Sequence, residues 1–160
     1  MRDEYFMRIA LEEAKRARDT GEVPVGAVLV RDEQVLSSAH NLVERLSDPT
    51  AHAEMLVIRE AAKKLNNWRL TECTVYVTKE PCLMCLFAFY LARVSRIVYG
   101  ASDERFSSVD AFLSLDAFSS SKMVITGGVL AAECKELLKG FFSDIRRGAG
   151  VVERGGLENR

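Results

Sequence analysis

Between residues 73 and 99 the chain runs strand, helix, strand, and that succession constrains the fold more than any other feature. Cys73–Thr78 is rich in β-formers (Thr74, Val75, Tyr76, Val77), Pro81 opens a helix of about 82–93, and Arg96–Tyr99 is again β-rich. A helix of this length between two short strands implies a right-handed crossover, so the two strands lie parallel in one sheet. The flanking segments extend that sheet. Val25–Val30 and Val35–Ala39, joined by the polar turn Arg31-Asp32-Glu33-Gln34, form a β-hairpin, and Lys122–Thr126 is an edge strand. Helices are expected at 3–19, where Phe6, Ile9, Ala10, Ala14 and Ala17 make one buried stripe and Gly21 is the stop, and at 52–65, opened by Pro49-Thr50 and closed by Asn66-Asn67. A short helix is expected at 111–118. The last helix, 129–147, carries Leu130, Cys134, Leu137, Leu138, Phe141 and Ile145 on one side. Residues 101–110 read as loop, and the Gly- and charge-rich stretch 148–160 as a disordered tail. The expected class is α/β: a three-layer α/β/α domain over residues 1–147, built on a central mixed five-stranded sheet.

Composition narrows the function. With 160 residues, 48% hydrophobic and 28% charged, the chain is long enough for one real core and too apolar for disorder. No apolar run approaches the ~18 residues of a membrane span, and Met1-Arg2-Asp3-Glu4 lacks the basic start of a secretion signal, so an intracellular, cytoplasmic protein is expected. In that setting four cysteines are thiols or metal ligands rather than disulfides. A net charge of −1 neither advertises nor excludes a nucleic-acid partner.

Two segments carry chemistry, His52-Ala53-Glu54 and Pro81-Cys82-Leu83-Met84-Cys85, each at the start of a helix. Cys82 and Cys85, three apart, share one helix face, and a helix N-terminus favours their thiolates. With His52 they make three ligands for a zinc ion, one per subunit. The fourth tetrahedral position stays open to water, the layout of a catalytic site. Zinc there would bring the pKa of that water to about 7, generating a hydroxide nucleophile, and Glu54 would shuttle its proton. A lone Cys-x-x-Cys is as often a redox pair or structural half-site, and a lone His-x-Glu is mostly surface. The joint pattern, about 30 residues apart with a strand between, is that of zinc-dependent deaminases. Cys73 and Cys134 are expected to be packing residues.

Those residues, together with Gly21-Glu22-Val23-Pro24-Val25-Gly26-Ala27, His40-Asn41, Asp48-Pro49-Thr50-Ala51-His52-Ala53-Glu54-Met55, Tyr76 through Cys85 and Leu137 through Phe142, resemble the cytidine/deoxycytidylate deaminase superfamily over about residues 3–147. Within it they resemble the bacterial tRNA-specific adenosine deaminases (TadA type). The resemblance implies a cytidine-deaminase-like fold, zinc on His52, Cys82 and Cys85, and Glu54 as catalytic proton shuttle. It further implies that Asn41 contacts the target base, that Val25 and Ala53 line its pocket, and that Asp103, Arg105, Phe142 and Arg146 face the RNA. A homodimer is the family's usual state, with Phe87, Phe89 and Tyr90 on the helix that would form its face or else the core. The chain departs from the family at Glu104–Asp110, where Phe106 and serines replace small residues, and at Leu86–Tyr90.

The leading expectation is hydrolytic deamination of the wobble adenosine to inosine in a tRNA anticodon stem-loop. The base would be flipped into the pocket, and phosphates held by cations among Arg45, Lys79, Arg105, Lys139, Arg146 and Arg147. A free nucleobase or nucleoside deaminase of guanine, cytosine or cytidine type is the second reading. An inactive binding module is the third, and the intact Glu54 speaks against it.

Overall fold

The computed structural model describes residues 2–119 and 121–147; the expected disordered tail, 148–160, lies outside them. One five-stranded mixed sheet in the order β2-β1-β3-β4-β5 runs through the molecule. Strands β1 (Gly26–Arg31) and β2 (Gln34–His40) form the expected antiparallel hairpin. Its two-residue turn puts Asp32 and Glu33 at φ 51° and 62°, the left-handed geometry that follows strand twist. On its other side β1 pairs antiparallel with β3 (Cys73–Lys79), with Ala27 opposite Val77. The crossover then places β4 (Arg96–Ala101) parallel to β3, and β5 (Val124–Thr126) runs parallel to β4 at the sheet edge.

The central strands are apolar on both faces because helices cover both. Ala27, Leu29, Val75, Val77 and Ile97 point to one side, under α3 (Ala53–Leu65) and α4 (Leu83–Leu91). Val28, Val30, Tyr76 and Val98 point to the other, under α1 (Asp3–Asp19) and α7 (Ala131–Arg147). The buried face of α1 is wider than its alanine stripe. It includes Met7, Leu11 and the carboxylate of Glu13, which takes hydrogen bonds at 2.9 Å from His40 and 2.8 Å from Arg16. Asn66, at φ 52°, ends α3 as expected.

Three local features differ from the sequence reading. A short helix, α2 (Val43–Leu46), follows β2, because the buried Glu22 carboxylate accepts the backbone N–H groups of Glu44 at 3.0 Å and Arg45 at 2.7 Å. Residues 101–110 are not all loop: β4 extends to Ala101, and α5 (Ser108–Leu113) starts where the Ser107 hydroxyl caps the N–H of Asp110. The expected single helix at 111–118 is broken after Ser114 into α5 and α6 (Asp116–Ser119). Of the three rings on α4, Phe89 is core. Phe87 and Tyr90 pack edge-on against Phe118, at centroid distances of 4.9 and 4.4 Å. The chain itself thus covers much of that face, while Leu91 remains exposed. Among the described residues no helix is long and apolar enough to cross a membrane.

Candidate active site

The C-terminal ends of β3 and β4 and the N-terminal ends of α3 and α4 meet at one pole of the domain, and the predicted chemistry collects there. An Asp48-Pro49-Thr50 turn leads into α3: the Asp48 carboxylate accepts the Thr50 N–H at 2.8 Å and its hydroxyl at 2.7 Å. That turn delivers His52 to the cap position of α3 in extended conformation, with Glu54 in the first turn. Cys82 takes the same cap position on α4, and Cys85 follows in its first turn.

His52 Nδ1 lies 3.6 Å from both Cys82 Sγ and Cys85 Sγ, and the two sulfurs are 3.7 Å apart. This nearly equilateral triangle is informative. Tetrahedral zinc with bonds of about 2.3 Å to sulfur and about 2.05 Å to nitrogen requires S–S near 3.8 Å and S–N near 3.6 Å, roughly the edges observed. Among the described residues these three are the one cluster whose donor atoms could hold a metal ion. The Cys82 thiol is brought down to about 4. The hydrogen bond from Cys85 is the largest cause; it outweighs burial and the opposing charge of Glu54, with help from His52. Burial instead pushes the Cys134 thiol up to about 12 and raises Cys73, so those two are inert packing residues in the apolar core.

Glu54 is fully buried, 0% exposed, beside this triangle. Asn41 is likewise buried. Its backbone N–H donates to the Val25 carbonyl at 3.1 Å, and its side-chain amide reaches toward Glu22 Oε1 at 3.5 Å. Val25 and Ala53 are completely buried. Glu22 belongs to the Gly21–Ala27 motif, which by itself points to no role for its carboxylate. Its task is to cap α2 and to hold the loop that carries Asn41.

The remaining predicted residues assemble outside the buried centre. Asp103, Arg105, Phe142 and Arg146 line a groove of about 430 Å³ between β4 and α7, with Lys79, Lys135 and Lys139. Arg45 and Arg147 are not among its lining residues, and Lys135 is a cation that the sequence reading missed. Phe141 turns into the core while Phe142 faces the groove. A second groove of about 400 Å³ starts at Cys82 and shares Lys79, Asp103 and Arg105 with the first. Those three are an ion cluster: Asp103 is 3.2 Å from both Lys79 and Arg105. Burial alone would raise the Asp103 carboxyl, but hydrogen bonds from Arg105 and the Lys79 charge hold it well below the usual range.

The sequence matches the family model described as the cytidine and deoxycytidylate deaminase zinc-binding region over residues 1–101. The chain belongs to the cytidine and deoxycytidylate deaminase family. Within the family it groups with the bacterial tRNA-specific adenosine deaminases. It is 46% identical to the tRNA-specific adenosine deaminase of Aquifex aeolicus over 147 residues, covering 91% of this chain and 97% of that one. It is 45% identical to that of Bacillus subtilis, covering 91% of each. A solved structure from studies of A-to-I editing by tRNA:A34 deaminases at the wobble position superposes with a TM-score of 0.79 at 40% identity, over 84% of this chain and 99% of that one. The guanine deaminase of Bacillus subtilis is also similar, at 35% identity and a TM-score of 0.64, over 72% of this deaminase and 78% of that chain.

Proposed function

We propose that this deaminase hydrolyses the wobble adenosine of a tRNA anticodon loop to inosine, with a zinc ion held by His52 Nδ1, Cys82 Sγ and Cys85 Sγ. The observation that carries the reading is the donor triangle with a buried glutamate beside it, opening at Cys82 onto a groove lined by Lys79 and Arg105. The relatives named for tRNA adenosine deamination, alike over nearly their whole length, direct the substrate toward RNA rather than a free base.

Zinc there would act as a Lewis acid that lowers the pKa of water at the open ligand position, so that a nucleophile forms at neutral pH. Glu54 takes the proton of the attacking water as its oxygen bonds to C6 of adenine. It hands that proton to the ring nitrogen, then carries a proton to the departing amino group. One water and one adenosine become one inosine and one ammonia. A carboxylate suits this relay because it sits out of water beside the reacting centre and can hold each proton in turn. Asn41, fixed between Val25 and Glu22, bonds the edge of the flipped base, and Val25 and Ala53 wall its pocket. Asp103, Arg105, Phe142 and Arg146 meet the RNA outside, where cations hold the phosphates. The likeness to bacterial tRNA-specific adenosine deaminases supports a cytoplasmic enzyme. A second copy of the chain, docked through the exposed part of α4, completes the RNA site.

The test is direct. The zinc-loaded protein is incubated with an anticodon stem-loop carrying a wobble adenosine, and separately with guanine, cytosine, cytidine and adenosine. Inosine from the RNA alone is expected. Turnover confined to a free base or nucleoside would replace this reading with that of a guanine deaminase-like enzyme.

A further inference from the structure

Glu80 stands between the metal-ligand loop and the loop at the groove mouth, and the mechanism above gives it nothing to do. It is the residue before Pro81-Cys82 and is buried, 3% exposed. Its backbone N–H donates to the Ala101 carbonyl at 2.7 Å, tying the ends of β3 and β4. Its carboxylate spans the next segment. Oε1 accepts the Asp103 N–H at 3.0 Å, while Oε2 accepts the Ser107 hydroxyl at 3.0 Å and the Val109 N–H at 2.9 Å. One buried charge therefore grips both ends of residues 103–109.

Those residues form a wall of the groove that begins at Cys82, supplying Asp103, Arg105, Phe106 and Ser108. Asp103 passes the constraint on, since its carboxylate accepts the Arg105 backbone N–H at 3.0 Å and Nε at 3.2 Å. Phe106 stands at the rim with 56% of its surface exposed, presenting an aromatic face of the kind on which RNA bases stack. Loops of small and polar residues hold such side chains only when something rigid fixes their ends. Here a charge-assisted set of three hydrogen bonds out of water does so.

We propose that Glu80 is a positioning residue for the substrate: its carboxylate braces residues 103–109 so that Arg105 and Phe106 stand over the groove leading to Cys82. The proposal rests on an RNA substrate for its kinetic consequence, and on the bracing bonds for its structural one. Replacing the carboxylate by an amide removes the charge and turns an N–H₂ group toward donors that had an acceptor. The loop then loosens, while the zinc ligands and Glu54, held by other elements, keep their places.

The experiment compares the zinc-loaded protein with Glu80→Gln by amide hydrogen exchange, zinc content and stem-loop kinetics. Exchange at Asp103 and Val109 should quicken roughly 10- to 100-fold, the factor carried by one charge-assisted hydrogen bond, with protection elsewhere and zinc content retained. KM for the stem-loop should rise about tenfold or more, and kcat fall much less. Exchange unchanged at 103–109, or faster everywhere alike with zinc lost, would overturn the proposal. Should Glu80→Gln not fold, Glu80→Asp keeps the charge but is a methylene too short to hold both ends of the segment. Faster exchange at Val109 and a severalfold higher KM are expected there, and wild-type values for both would overturn the proposal. A wild-type protein inert on the stem-loop would instead sink the RNA reading, leaving the exchange result to decide whether Glu80 braces the loop.

Discussion

At Glu54, two roles predict opposite results. As a ligand it would take the metal with it when removed; as a proton carrier it would leave the metal behind. Its place favours the second, because His52, Cys82 and Cys85 already complete a triangle with the edges that a three-ligand tetrahedral zinc needs. Glu54→Ala should therefore retain one zinc per chain while its turnover falls by about 10²- to 10⁴-fold, the usual worth of a positioned acid-base group. Metal analysis beside inosine formation measures both, and stoichiometric loss of zinc would make Glu54 a ligand.

At the scale of elements, Gly26 shows how a motif residue can serve packing rather than chemistry. It opens β1 where α1 crosses the sheet, and a Cβ there would lie 2.0 Å from the Ala10 carbonyl oxygen and 2.6 Å from the Ala14 nitrogen. Both obstacles are helix backbone, which cannot swing aside as a side chain would. Gly26→Ala should cost about 3 kcal/mol of stability, seen as a lower denaturation midpoint, with zinc binding kept by the folded fraction. Full stability with lost turnover would move Gly26 from the packing to the pocket. The same scale explains what the sequence could and could not reveal. Helix α1, the hairpin and the crossover were legible because each is specified by its own periodicity and punctuation. The zinc triangle was legible because His52 and Cys82 mark the starts of their own helices. Helix α2 was not, since what starts it comes from far along the chain: Glu22 reaches Glu44 and Arg45. The start of α5 is half local, capped by Ser107 and held from afar by Glu80 at Val109. No local pattern in 43–46 contains the Glu22 contact, and none in 107–113 contains the Glu80 contact. Lys135 escaped for a similar reason, because only the fold turns that face of α7 toward Lys79 and Arg105.

Across the whole molecule, charge is placed rather than accumulated, and two consequences follow. At the start of the chain, the Asp3 carboxylate takes hydrogen bonds from Arg96 at 2.8 and 2.7 Å and from the Tyr76 hydroxyl at 2.9 Å, closing α1 onto β3 and β4. The Arg96 hydrogen bonds, opposed by burial, lower the Asp3 pKa. A depressed folded-state pKa means stability that is present above the unfolded value, about 3.9, and lost as pH falls through the folded one. Asp3→Asn should thus be less stable than the parent by about 1–3 kcal/mol at pH 7. The gap should close below about pH 4, as denaturation at several pH values would show; a gap constant with pH would mean that the charge contributes nothing.

At the other pole, a chain of net charge −1 lines the main groove with five cationic side chains, Lys79, Arg105, Lys135, Lys139 and Arg146, against Asp103 and Glu104. Lys79 is held by Asp103 and Lys135 by Glu104, so the lining is a lattice of pairs with a cationic surplus rather than a bare basic patch. A phosphate entering there exchanges counterions for cations already fixed in place. Stem-loop binding should then weaken with salt at a logarithmic slope near −2, what about three neutralised phosphates of single-stranded RNA give, instead of the steep dependence of a strongly basic protein. Lys139→Ala should make that slope shallower by somewhat under one unit without changing which stem-loop is preferred, because a phosphate contact adds affinity and carries no base identity. Titrations at four salt concentrations measure both, and a slope of zero would place the RNA on some other surface.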